Sequence, residues 1–180
     1  MAENRLSGRA VRPLHTLDVD GPPGDLAWLD EAVGAARVVA IGESAHYHAE
    51  SYRLRHRLLR HLVERHGFGA YAMESGFVEG WQADAWVRGG EGDLGRVLAR
   101  GLTSLMGLWT PMRAQLEWLR EHNGTAASQV GFYGVDLPGS NASLLPGLDA
   151  VLAYLGAADP DAEPDPGLRE MAAASPALSP

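Results

Sequence analysis

Arg37-Val38-Val39-Ala40-Ile41-Gly42-Glu43-Ser44-Ala45-His46 is the stretch on which the reading of this chain turns. Val38 to Gly42 are all apolar or small, and Val38, Val39 and Ile41 are β-branched. Such a run predicts a short strand over 37–42, buried on both faces as in a parallel sheet. Glu43 and His46 follow at once, just before an arginine-rich helical pattern. In open α/β sheets ligands bind beyond the carboxyl ends of the strands, so a carboxylate and an imidazole there point to a site.

Upstream, residues 1–24 read as an irregular arm, with Pro13 and the turn Gly21-Pro22-Pro23-Gly24. Asp25 is placed to cap a short helix over 26–36 that turns Leu26, Leu29 and Val33 to one side. Downstream, Tyr52, Leu58, Leu59, Leu62 and Val63 fall near helical spacing and predict a helix over 47–65. Gly67 supplies its C-cap, and Phe68 packs back. Ala70 to Met73 predict a second strand ending in Glu74. Helices are predicted over 77–88, 93–100 and 109–122, the last stopped by Asn123-Gly124. Val130 to Val135 predict a third strand ending in Asp136, followed by a helix over 142–155. Residues 157–180 are rich in Pro and Ala and read as a tail, which leaves 25–156 as the α/β domain. The order of elements predicts a parallel sheet of three or four strands flanked by helices and open at an edge. An unpaired sheet edge is also a route to self-association.

The chain has 180 residues and is 46% hydrophobic, enough for a packed core. It has no cysteine, which excludes disulfides and thiolate metal sites. Its net charge of −8 argues against general nucleic-acid binding. All 15 basic residues are arginine, so no lysine Schiff base and no P-loop lysine exist. The polar N-terminus lacks the apolar segment of a signal peptide, and no run approaches the ~20 apolar residues of a membrane span. The expected location is the cytoplasm.

Each predicted strand ends in an acid: Glu43, Glu74 and Asp136. Parallel strands would bring all three to one rim of the sheet, near His46. Clustered carboxylates repel and perturb one another, and Arg53, Arg55 and Arg57 on the following helix would offset that charge. His46 beside a carboxylate has the make-up of a general base, because imidazole titrates near neutral pH and a carboxylate fixes its tautomer. Glu43, His46, His48 and Glu74 are equally ligand types for zinc or manganese, so a metal-dependent hydrolase stands as an alternative. Ser44 lacks the G-x-S-x-G setting of a nucleophile elbow. His56 and His61 read as part of the solvated face of the arginine-rich helix. His15, His66 and His122 fall in loops or at helix ends and receive no role. Trp109 opens a helix after a glycine-rich loop, where an aromatic can line a pocket.

The motifs together resemble the erythromycin esterase family. The resemblance is carried by Ala36-Arg37-Val38-Val39, Gly42-Glu43-Ser44-Ala45-His46, Glu50, Arg55-His56-Arg57-Leu58, Leu62-Val63-Glu64, Gly67-Phe68 and Ala72-Met73-Glu74. Trp109 and Phe132-Tyr133-Gly134-Val135-Asp136 extend it, so that it runs from about residue 14 to about 155. It implies an α/β hydrolase that opens the ester of a macrolactone such as erythromycin, without an essential metal or other cofactor. His46 takes the matching base position, Glu43 and Glu74 those of the acidic partners, and Arg55 that of the arginine. Trp109 and Asp136 would contact substrate. Two departures stand out. Tyr47-His48 replaces the glycine usual after the histidine, and no acid follows Trp109 in Thr110-Pro111-Met112-Arg113. Members are also longer, so the chain is expected to correspond to an N-terminal half, with a non-catalytic fragment as a further alternative.

Overall fold

A computed structural model describes residues 11–43, 46–137 and 143–174. Among these the fold is α/β, with a two-stranded parallel sheet and seven α-helices. The chain divides into two compact units, Met1–Phe68 and Gly69–Pro180, each with its own packing. Ser44, the start of the helix expected at 142, and the ends 1–10 and 175–180 lie outside the described residues.

The first unit is built on α1 (Ala27–Val33) and α2 (Ala49–His66). No Gly or Pro interrupts α2, Glu50 sits in its first turn, and Arg65 and His66 sit in its last, as the helix dipole favours. Gly67 adopts φ +70°, and its N–H and that of Phe68 close the last turn on Val63 O and Leu62 O. Leu29, Val33 and Leu62 form the core cluster, with Val39, Ile41, Leu58 and Phe68 packed against it. Burying such side chains contributes about 1.5–3 kcal/mol each. A surface pair such as Arg60–Glu64 contributes about 0–1 kcal/mol, so apolar packing decides how α1 meets α2.

Residues 37–43 correct the expected first strand: they join no ladder among the described residues, so the sheet has two strands rather than three or four. Val38 is 83% exposed, whereas Val39 and Ile41 pack inward. One face is partly buried rather than both buried, and an apolar run cannot by itself supply a hydrogen-bonding neighbour. Asp25 also departs from its expected role. It lies in a 3-10 turn, Pro23–Leu26, and α1 has no side-chain cap. Its carboxylate instead accepts from the His15 N–H (2.8 Å) and from buried Arg57 (3.0 Å). Arg57 donates as well to Thr16 O (2.8 Å) and Pro22 O (2.6 Å), tying residues 15–25 to α2. These bonds hold the Asp25 carboxyl well below the usual carboxylate range.

The second unit carries β1 (Ala70–Gly76) and β2 (Gly131–Asp136), parallel and in register from Ala70↔Gly131 to Met73↔Gly134. The register slips before Gly76↔Asp136, so Glu74 and Ser75 sit at an irregularity. Tyr71, Met73 and Phe132 turn to the buried side, with α3 (Phe77–Val87) packed on β2. A Cβ on Gly80 would lie 2.7 Å from Gly134 N, so glycine is what lets helix and strand approach. α4 (Leu94–Arg100), capped by Asp93, and α5 (Thr110–Thr125) complete the layer. Asn123, expected as a helix stop, lies inside α5 and is buried. Its amide donates to Val87 O (3.0 Å) and Val130 O (2.9 Å), and its oxygen accepts the Val130 N–H (2.7 Å). α6 (Leu145–Ala158) and α7 (Gly167–Ala174) pack together, with Arg169 on Asp149 at 2.6 Å. Among the described residues no helix is long and apolar enough to cross a membrane.

Candidate active site

In the first unit, Glu43 follows the segment 37–42 and His46 sits in the turn just before α2. His46 Nδ1 lies 3.4 Å from Glu43 Oε1, and Arg55 NH1 lies 3.9 Å from Glu43 Oε2. Glu43 thus stands between an imidazole and a guanidinium. The Arg55 guanidinium lies over the Tyr52 ring, 4.3 Å from its centre, which fixes it against the helix. Burial, and secondly the charge of Glu43, push the Tyr52 phenol up, so it remains a neutral hydroxyl. A carboxylate facing Nδ1 favours the tautomer with its proton there and leaves Nε2 to accept one. The His46 side chain is exposed, and the long Nδ1 contact is of the kind that tightens when a substrate closes over the site.

Tyr47, beside His46, has φ +66°. That left-handed conformation is one glycine adopts freely and tyrosine at a cost of about 1–2 kcal/mol. His48 is the N-cap of α2 and makes no side-chain cap bond. Arg53 is exposed and Arg57 serves the N-terminal arm, so of the three arginines expected beside the carboxylates only Arg55 faces one of the predicted acids.

In the second unit, Glu74 lies exposed at the irregularity of β1, and Asp136, half-exposed, closes β2 at the same end of the sheet. Ser75 beneath is fully buried: its Oγ accepts the Thr103 N–H (3.0 Å), and Thr103 Oγ1 accepts the Gly76 N–H (2.9 Å). This brace fixes the end of β1. Trp109 is the N-cap of α5, its backbone extended, so it does open a helix. Glu79, which the sequence reading passed over, is buried in the first turn of α3 against Gly76. An acid one helical turn beyond a strand end is a signal that could have found it.

His56 and His61 correct another expectation. They are 4% and 6% exposed, not on a solvated face. The adjacent Arg55, Arg57 and Arg60 give these two positions the look of a charged face in the sequence. Burial pushes the His56 imidazole down to about 4. His61 and His66 both reach Asp30 of α1, a grouping that no local motif announces. A cleft in this unit, lined by Leu14, Trp28, Leu54 and Leu58, contains none of the predicted site residues.

Residues 63–176 match the family model described as Erythromycin esterase. That segment includes Glu74, Trp109 and Asp136 and begins after Arg55. The chain is 34% identical over 142 residues to an erythromycin esterase type II of Escherichia coli, across 77% of this chain and 32% of that protein. To an erythromycin esterase type I of the same organism it is 32% identical over 112 residues, across 61% of this chain and 26% of that protein. The chain therefore spans about a third or less of the curated relatives it matches. Two crystal structures share its fold, each with a TM-score of 0.69 and 26% identity over 83% of this chain. One is a Bacillus cereus protein, of which 35% is covered, and the other a succinoglycan biosynthesis protein, of which 37% is covered.

Proposed function

The chain belongs to the erythromycin esterase family, and from that premise we propose that it serves the hydrolysis of a carboxylic ester of the macrolactone class, with His46 as general base. The observation that carries this reading is the line Arg55–Glu43–His46, with Glu43 Oε1 3.4 Å from His46 Nδ1 and Arg55 behind it at 3.9 Å. His46 Nε2 takes a proton from water as the water oxygen attacks the ester carbonyl. The tetrahedral intermediate collapses, the C–O bond to the alcohol breaks, and the proton passes from His46 to the leaving alkoxide. Acid and alcohol result, and His46 returns to its neutral form. Glu43 holds the ring and stabilises the imidazolium while it exists, and Arg55 lies behind Glu43 at 3.9 Å. Glu74 serves as the second acid, by its family position. Trp109 and Asp136 contact the substrate.

The test is hydrolysis of erythromycin and a panel of aryl esters in ¹⁸O-water, followed by mass spectrometry, with and without EDTA. Turnover that places ¹⁸O in the acid product and ignores EDTA is the expected result. Loss of turnover with EDTA would favour the metal-dependent alternative. A folded chain that turns over no ester would overturn the claim that these residues suffice.

A further inference from the structure

We propose that Asp30, His61 and His66 form a site for one divalent transition cation of the zinc class, bridging α1 to the end of α2. His61 Nε2 and His66 Nε2 lie 2.7 and 2.8 Å from the same oxygen, Asp30 Oδ1. All three ligand atoms fall within 4.8 Å of one another. The convergence is not a routine consequence of helix geometry: residues five apart on a straight helix point about 140° apart. His66 is the last residue of α2, at the left-handed turn of Gly67, and there its ring can swing back towards Asp30.

Two imidazoles and one carboxylate oxygen suit zinc and its neighbours, whereas calcium and magnesium favour all-oxygen sets. Asp30 would bind through Oδ1 alone, because Oδ2 faces Arg65 at 3.5 Å. Arg65 is mostly solvent-exposed and can turn away from an added charge. Zinc bond lengths ask the three ligand atoms to separate to about 3.3 Å. His61 is packed in the interior, but Asp30 and His66 are partly exposed and have room for that shift. A fourth position would be left for water. Buried His61 Nδ1 has no hydrogen-bond partner among the described residues whichever tautomer forms, so two Nε2–H donors on one oxygen are no better satisfied than two nitrogens on a cation. The cation would clamp the helix pair whose core is Leu29, Val33 and Leu62. Nothing in this site depends on His46 or on the hydrolase reading.

The test uses the full chain without a histidine tag, stripped of metal by chelator. Zn²⁺ alone is titrated by calorimetry and Co²⁺ by visible absorption, each with a thermal melt. One equivalent should bind, raise the melting temperature and give the strong d–d bands of a low-coordinate cobalt site. Asp30→Asn and His66→Gln should each weaken binding by about tenfold or more, and His46→Ala should leave it unchanged. His66 is at a helix end, so His66→Gln reads the site even if Asp30→Asn fails to fold. No binding, or binding that survives His66→Gln, or binding lost with His46→Ala, would overturn the proposal.

Discussion

Tyr47 shows how a single backbone angle bears on the site. The residue after His46 is held at φ +66°, where glycine is at ease. Tyr47→Gly should therefore relieve about 1–2 kcal/mol of strain, less the entropy that glycine loses on folding. A small rise in thermal midpoint is expected; a fall of several degrees would show that the ring contact with His46, 5.9 Å between centroids, matters more. His56 governs a pH response. Burial, and secondly the charge of Arg60, bring its imidazole from 6.5 down to about 4. Between those values the unfolded chain binds a proton that the folded chain refuses. Stability is then complete above about pH 6.5 and falls as pH drops towards 4, by about 3 kcal/mol at most. His56→Gln should flatten urea-unfolding stability across that window, whereas Asp25 and Asp30, both lowered, lose their contributions only at more acid pH. The Glu43–His46 pair was legible in the sequence because its members are three residues apart. The burial of His56, His61 and Arg57 was not, since their partners lie on other segments and three to five residues of like charge mask a buried face.

At the scale of elements, helices were read well wherever their own caps and apolar spacing defined them, as with α2 and its glycine cap. The 37–42 strand failed because a strand is completed by a neighbour, and composition names none. β1 and β2 were legible for the opposite reason: their apolar positions are flanked by helices that cover one face. α7 went unseen because residues 157–180 offered prolines and alanines without a longer apolar stripe. Asn123 has the sequence signature of a helix stop, yet it joins α3, α5 and the start of β2 through three bonds. Asn123→Ala would leave two carbonyls and one amide unpaired in the interior. A loss of about 3 kcal/mol or more in chemical denaturation is expected, and a loss below about 1 kcal/mol would mean that water replaces the amide.

For the whole molecule, the expected site residues divide between the two units: Glu43, His46 and Arg55 belong to the first, and Glu74, Trp109 and Asp136 to the second. The family was legible from the order and spacing of these motifs. The aligned portions make up 32% and 26% of the two matched relatives. Tyr133 and Val135 of β2, and Leu137 just after it, are exposed, and association between copies through this face is a proposal open to test. Sedimentation at two concentrations should then show a concentration-dependent mass, and a constant monomer would count against it. The central claim is tested most directly by kcat/KM for whichever ester the panel identifies, measured for the parent and for His46→Ala, with circular dichroism to show that the fold is kept. A fall of about 10²–10⁴-fold is the predicted result for loss of a general base. Activity within a few-fold of the parent would contradict the assignment of His46.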